Sequence, residues 1–133
     1  MLSDDVLYMS VRELGSQIKA RKIRPVQLTE SYLARLEKHL LQALEHFHPD
    51  VLYYLGGADP YRGDQLGGLS LSIEGLARRD ALVFEHAWRR GVPVAATLAG
   101  GYARDTADTV RIHVNTILAA REIHQKKSAH PAT

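Results

Sequence analysis

Cysteine is absent from the 133-residue sequence. Without thiols the chain cannot form a disulfide, use a thiolate as a nucleophile or bind zinc through sulfur. The groups that remain for catalysis or metal binding are carboxylates, imidazoles and hydroxyls.

Long hydrophobic runs are absent too. No apolar stretch approaches the roughly 20 residues that span a bilayer. The opening MLSDDVLYMS carries acids where a secretory signal peptide has a basic region. These features predict a cytoplasmic protein without a membrane partner.

Neither sign of charge dominates. Seventeen basic and fifteen acidic residues leave a formal net charge of +2, which is too small an excess for the basic surface of a nucleic-acid-binding protein. We therefore expect no nucleic-acid partner. The most basic segment is the C-terminal REIHQKKSAHPAT, which is typical of a solvated helix end, and residues 125–133 are predicted to form a disordered tail.

The first part of the chain has helical periodicity. Ser10 and Glu13 have the spacing of a capping box, which predicts a short amphipathic helix over residues 11–21. Pro25 suits the first turn of a second helix that continues to the sequence HPD. Apolar residues of this second helix recur at intervals of three and four: Leu33, Leu36, Leu40, Leu44 and Phe47.

The pattern changes at Val51. VLYYL and VPVAATLA are short and apolar on both faces, as are strands of a parallel sheet that helices cover on both sides. Between them Ser72 can cap a helix that ends at RRG, and a further helix follows the second strand. The predicted apolar side of that last helix consists of Val110, Val114, Ile117 and Leu118.

This order predicts an α/β fold, with a parallel sheet in a strand-helix-strand-helix (βαβα) unit preceded by two helices. Glycine pairs follow both strands, so the two loops are expected at the same edge of the sheet, where open α/β proteins place their sites. Only two strands are evident, and each has one unpaired edge. The chain is therefore expected to be part of a larger sheet, or to form a homo-oligomer through those edges.

Two loop residues are candidates for chemistry. Asp59 follows glycines at the end of the first strand, where it can be an ordinary turn residue or a ligand. Tyr102 follows Gly100 and Gly101 at the end of the second strand. Its hydroxyl can donate to a developing oxyanion, or its ring can pack over the loop. A third interpretation makes these glycines a phosphate cradle at a helix N-terminus.

Histidines offer one close pair, His46 and His48, among seven in the chain. On a strand both side chains can face one metal ion, but at the end of a helix a histidine more often interacts with the helix dipole. His86 and His113 fall inside predicted helices, and we expect both to be structural.

The segments GADPYRGDQLGGLSLS, RRD and AGGY occur in that order along the chain. On these motifs, residues 32–124 resemble the C-terminal part of the histone deacetylase family, in particular its bacterial and class IV-like branch. The resemblance implies an arginase-like parallel sheet and an enzyme that removes acyl groups from acetylated lysine or small acylated amines, with zinc as cofactor.

Site residues follow from the same resemblance. It implies that Asp59 is an aspartate zinc ligand and that Tyr102 hydrogen-bonds the substrate carbonyl oxygen. Gly100 and Gly101 would let the loop bring that hydroxyl close to the metal. The family's other zinc ligands come from an Asp-x-His motif and its general base from an adjacent His pair, and neither motif occurs in this sequence. One carboxylate does not hold a catalytic zinc, which needs about three protein ligands.

The N-terminal sequence has a different resemblance. MLSDDVLYMSVRELGSQIKARKIRPVQLTESYLARLEK resembles the N-terminal helical segment of the amidase signature family. The phrase YLARLEK suits both families, which indicates the seam of a fusion. We therefore predict an amidase-like segment at residues 1–38, a deacetylase-like α/β fragment at residues 39–124 and the tail.

These features predict a truncated relative of the histone deacetylases, related to zinc-dependent hydrolases of acyl-amide bonds and inactive as an isolated chain. Two alternatives remain open. In the first, two chains complete an amide hydrolase site, with His46 or His48 of a second chain as zinc ligands. In the second, the chain is a non-catalytic interaction module whose sheet edges pair with another protein.

Overall fold

The computed structural model describes residues 2–67 and 69–129. The elements are α1 (Asp4–Leu7), α2 (Val11–Lys19), α3 (Pro25–Phe47), β1 (Leu52–Gly57), α4 (Ile73–Arg89), β2 (Val94–Ala99) and α5 (Thr106–Ala129). The predicted combination of helices with a small parallel sheet is confirmed. The one-turn helix α1 precedes the two helices that were expected.

The N-terminal helices pack around a small core of their own. The Ser10 hydroxyl accepts a hydrogen bond from the Glu13 amide at 3.3 Å, and the Glu13 carboxylate accepts one from the Ser10 amide at 2.8 Å. This capping box begins α2 as predicted. Buried members of the core are Leu14, Ile23 and Leu28. Since partly buried residues of α1 and α3 pack against them, the core joins α1 and α2 to the beginning of α3.

Helix α3 is continuous and packs against α4. It begins at Pro25, where the missing proline N–H costs no helical hydrogen bond. The Glu37 carboxylate lies 3.1 Å from the His86 ring of α4, so His86 has the structural role expected of it. The boundary predicted between residues 38 and 39 falls in the middle of α3, and the division of the chain there stays a prediction.

Strands β1 and β2 pair in parallel along all six residues of each strand. Tyr54 and Gly56 face the helices, since the Tyr54 hydroxyl reaches α4 and Gly56 contacts α5. Tyr53 and Leu55 lie on the other face and are 72% and 69% exposed. The expectation that helices cover both faces was wrong, because α4 and α5 pack against each other on one face and no described element covers the other.

Helix α5 turns inward a different face from the one predicted. Ile112 and Thr116 are buried. The Thr116 hydroxyl donates to the Asp80 carboxylate of α4 at 2.6 Å, and this buried polar contact fixes the rotation of the helix. The side predicted to face inward is exposed: Val110, Val114, Ile117 and Leu118.

The C-terminal part of α5 overlaps the predicted tail. The helix continues to Ala129, and the disordered tail at residues 125–133 stays a prediction. Lys126 lies 3.4 Å from the Glu85 carboxylate of α4, so an ion pair joins the two helices there. Residues 130–133 lie outside the described residues. Although α5 has 24 residues, neither it nor any other described helix is long and apolar enough to cross a membrane.

A buried carboxylate, that of Asp80 in α4, joins three elements of the fold. Asp80 is 0% exposed, and it accepts hydrogen bonds from the hydroxyls of Tyr54 in β1 and Thr116 in α5. Arg79 donates to it at 2.9 Å and to the carbonyl oxygen of Gly57 at 2.8 Å. Burial raises the pKa of Tyr54, so its phenol stays protonated and able to donate.

Replacing Asp80 with alanine should lower the free energy of unfolding by about 3 to 5 kcal/mol, because the partly buried Arg79 guanidinium and two hydroxyls lose their acceptor. Urea unfolding followed by circular dichroism measures the loss. In the control variant Arg89→Ala the lost ion pair with Glu85 involves an arginine side chain that is 61% exposed, and the loss should stay below about 1 kcal/mol. Equal losses in both variants would contradict this account of Asp80.

Candidate functional site

Two loops meet at the edge of the sheet where both strands end. The first loop, residues 58–72, follows β1, and the second loop, residues 100–105, follows β2. The Arg104 amide of the second loop donates to the Gly63 carbonyl of the first at 3.1 Å. The expectation that both glycine loops lie at one edge of a parallel sheet is therefore confirmed.

The Asp59 carboxylate lies over the ends of both strands and is exposed to solvent. A Cβ atom added at Gly100 would overlap this carboxylate, and one added at Gly57 would lie 3.4 Å from its Oδ2 atom. No hydrogen bond or ion pair between described residues involves the Asp59 side chain. Its two oxygens are thus available to water or to a ligand.

The glycine pair after β2 has backbone conformations that other residues rarely adopt. The φ angle is +64° at Gly100 and +123° at Gly101. A Cβ atom at Gly101 would also overlap the Thr109 side chain of α5. The pair therefore allows the chain to turn sharply between β2 and α5 and brings Tyr102 back against the first loop.

Tyr102 is held by its backbone, whereas its side chain is 58% exposed. Its carbonyl oxygen accepts hydrogen bonds from the backbone amide of Gln65 at 3.0 Å and from the Gln65 side chain at 3.1 Å. The Tyr102 amide donates to Oδ2 of Asp64 at 2.9 Å. Both of its peptide groups are thereby fixed to the first loop.

Asp64 links the two loops, and the sequence analysis did not single it out. Its Oδ1 atom accepts the amides of Leu66 at 2.8 Å and Gly67 at 2.7 Å. These donors, Gly67 most strongly, hold the pKa of Asp64 below its ordinary value. An aspartate followed by Gln-Leu-Gly-Gly is typical of a side-chain turn, so RGDQLGG carried a signal for the turn but none for the contact with Tyr102.

Helix α5 supports both loops. The buried Tyr61 of the first loop donates its hydroxyl hydrogen to the Asp108 carboxylate at 2.6 Å, and this hydrogen bond raises the pKa of Tyr61. The Nε2 atom of His113 lies 3.3 Å from the Gly100 carbonyl oxygen, where a ring N–H can donate to it. His113 therefore contacts the second loop, a role more specific than the structural one expected.

The residues around Asp59 do not fit a catalytic zinc site, which takes about three protein ligands. The described residues contain no group of three or more His, Cys, Asp or Glu side chains that could hold a metal ion. His46 and His48 lie at the C-terminal end of α3. They are separated from Asp59 by the length of a six-residue strand, roughly 17 to 20 Å. Within one chain this pair therefore does not reach Asp59.

Comparison with known proteins identifies the family. The family model described as the histone deacetylase domain matches residues 15–118, more than three quarters of the chain. This chain belongs to the histone deacetylase domain family. An uncharacterized protein of Picosynechococcus sp. is 38% identical over 95 residues, which cover 71% of this chain and 32% of that protein. Histone deacetylase 2 of Arabidopsis thaliana is 34% identical over 82 residues, which cover 62% of this chain and 21% of that protein.

This histone deacetylase-domain chain matches about a third of the length of the first relative and a fifth of the second. The deacetylase resemblance is confirmed at the level of the family. The family match starts at residue 15 and so includes most of the segment 1–38 that resembles amidases. Neither this match nor the two relatives support the amidase resemblance, which stays a prediction.

Replacing Gly100 with alanine should displace the Asp59 carboxylate, whereas replacing Gly91 should not. Both glycines have left-handed backbones, with φ of +64° and +68°, but a Cβ atom at Gly91 meets no atom within 4 Å. Gly91→Ala therefore measures the backbone strain alone, about 1 to 2 kcal/mol. Gly100→Ala has the same strain, and its added overlap is with an exposed carboxylate that can rotate into solvent, so the two losses should agree within about 1 kcal/mol.

Urea unfolding measures both losses, and the carboxylate ¹³C resonance of Asp59 should shift only in Gly100→Ala. An unchanged Asp59 resonance in Gly100→Ala would contradict the close packing of Asp59 on Gly100.

Proposed function

We propose that this chain carries part of the site of a zinc-dependent hydrolase of acyl-amide bonds and has no deacetylase activity as an isolated chain. The observation that carries the proposal is the junction of the two loops, with Asp59 on one and Tyr102 on the other and too few metal ligands around them. The substrate class we propose is acetylated lysine or a small acylated amine. In this proposal β1 and β2 correspond to two strands of a larger, arginase-like sheet.

Tyr102 is the oxyanion-stabilising group in this proposal. Hydrolysis of an amide places negative charge on the former carbonyl oxygen, and a hydroxyl donor held ready for that charge lowers the barrier. Two features support the role. The Tyr102 hydroxyl has no partner among the described residues, so it is available to a substrate. The peptide groups on both sides of its Cα atom are fixed by hydrogen bonds of 2.9 to 3.1 Å.

Asp59 is the zinc-ligand position in this proposal. An exposed carboxylate without an internal partner suits a metal ligand. Because the side chains around it do not complete a set of three, the isolated chain should bind zinc only weakly. A complete hydrolase needs further ligands from outside the described residues. A cytoplasmic location and the lack of a nucleic-acid partner stay predictions.

Purified chain should hold well under one zinc per molecule after dialysis and should not turn over an acetyl-lysine peptide. Metal analysis and a deacetylation assay test this. Whatever weak zinc binding occurs at the loops should be lost in Asp59→Asn and kept in Asp105→Asn, which changes an exposed aspartate of the second loop. One tightly held zinc per chain together with turnover would contradict the proposal.

A second candidate function is an amide hydrolase that two chains complete. It is favoured by the exposure of His46 and His48 at the end of α3, where both are accessible to a partner chain. In that case zinc would be retained by a dimer and lost when both histidines are replaced with alanine. Zinc content measured across the dimer fraction of a size-exclusion column distinguishes this candidate from the first.

We also propose that the bare sheet lets the chain associate with itself, whether or not the assembly is catalytic. Tyr53 and Leu55 are exposed on the uncovered face. Each strand of the two-stranded sheet has one edge without a partner among the described residues. Exposed edges with apolar side chains beside them pair readily with strands of other molecules.

Leu55→Lys should therefore shift the chain toward the monomer in light scattering, because it places a charge in the middle of the bare face. The control is Val26→Lys, which adds the same charge at an exposed valine of α3, remote from the sheet. Association should survive the control. A wild-type chain that stays monomeric at about 100 μM, or equal effects of the two substitutions, would contradict this interface.

A further inference from the structure

The Tyr102 amide is held by Asp64, whereas the other hydrogen bonds between the two loops do not involve this carboxylate. The Tyr102 carbonyl oxygen has two donors, both from Gln65, and the Arg104 amide pairs with the Gly63 carbonyl. The Tyr102 amide donates to one group, Oδ2 of Asp64. The position of this peptide group, directly after the two glycines, thus depends on one carboxylate oxygen.

The two oxygens of Asp64 have separate tasks. Oδ1 accepts the amides of Leu66 and Gly67 and closes the turn of the first loop. Successive backbone amides that converge on one anion form a favourable site for negative charge. Oδ2 reaches across to the second loop, 38 residues away in the sequence. A hydrogen bond to a charged acceptor is stronger than one between neutral groups, so the second contact is a firm one.

The glycines make this tie necessary. With φ of +64° and +123°, Gly100 and Gly101 occupy conformations that only glycine adopts easily, and glycine is also the residue with the most alternative conformations. After two glycines the backbone can continue in many directions unless the next peptide group is held by a hydrogen bond. The Asp64 carboxylate supplies that fixed point at Tyr102.

We propose that Asp64 is a positioning residue, whose carboxylate couples the two loops and sets the place of Tyr102. The functional meaning of this assignment rests on the proposed role of the Tyr102 hydroxyl. Asp64 itself does not touch the substrate. It acts through the Tyr102 peptide, which carries the ring.

Asp64→Asn separates the two tasks in the 133-residue chain. Asparagine keeps one side-chain oxygen, which can still accept hydrogen bonds from the two amides of the turn. Its NH₂ group then faces the Tyr102 amide, and two donors cannot form a hydrogen bond with each other. Hydrogen exchange followed by NMR should show the Tyr102 amide exchanging at least about tenfold faster. The amides of Leu66 and Gly67 keep a neutral acceptor, so their exchange should quicken less than that of Tyr102, and the amides of the β1 and β2 ladder should change by less than about twofold.

The ring of Tyr102 provides a readout that a general loss of stability does not move. Its ¹H and ¹³C resonances should shift in Asp64→Asn, whereas those of Tyr53, which is also exposed but lies on the bare face, should not. The matched control is Asp105→Asn. Asp105 lies in the second loop and accepts only the local Ala107 amide, at 3.0 Å, so its replacement should leave Tyr102 unchanged.

Three results would overturn the assignment: unchanged exchange at Tyr102 in Asp64→Asn, a uniform rise in exchange rate at all amides, or the same shift of the Tyr102 ring in Asp105→Asn.

If Asp64→Asn does not fold, a measurement on the wild-type chain still tests the assignment. A scalar coupling across the hydrogen bond should join the Tyr102 amide nitrogen to the Asp64 carboxylate carbon. Its absence, in spectra that show the corresponding coupling from Gly67, overturns the assignment. No metal or acylated substrate enters these measurements, so their outcome is independent of the zinc and turnover tests.

Discussion

The buried charge of Asp80 is the constraint on which the arrangement of the sheet and its helices depends. A carboxylate removed from water is tolerated only when donors surround it, and here those donors come from β1, from α5 and from the neighbouring Arg79. Thr116 must face inward to contribute, which sets the rotation of α5. Arg79 reaches on to the carbonyl oxygen of Gly57, so the same contact places the last residue of β1, from which the first loop departs.

The edge of the sheet where β1 and β2 both end determines the geometry of the candidate site. Once β1 and β2 end side by side, Asp59 and Tyr102 are each only a few residues from the same edge, and small residues decide how closely the two loops approach. Gly100 leaves room for the Asp59 carboxylate. Asp64 then fastens one loop to the other. The result is a hydrogen-bonded junction of two loops that carries the exposed side chains of Asp59 and Tyr102, the two residues of the proposed site.

Local signals in the sequence were reliable, and contacts between distant residues were not visible in it. The Ser10 capping box and the start of α3 at Pro25 depend on neighbours a few residues away, and both were predicted. The prediction of which side of α5 faces inward was wrong. The Thr116 hydroxyl donates to a carboxylate 36 positions earlier in the sequence, and this contact turns the side with valine and isoleucine toward solvent. Asp64 was missed for the same reason: its turn is local, but its contact with Tyr102 crosses 38 positions.

The two bare edges of the sheet have a consequence for the size of any assembly. One edge belongs to β1 and the other to β2, so they differ in sequence and surroundings. A two-fold axis that pairs the β1 edge with its own copy leaves two β2 edges open, and the converse holds as well. Edge pairing by itself therefore has no natural end point at a dimer and can propagate as a filament. For a short parallel sheet of this kind, a closed and finite assembly requires that some other part of the molecule cover the second edge.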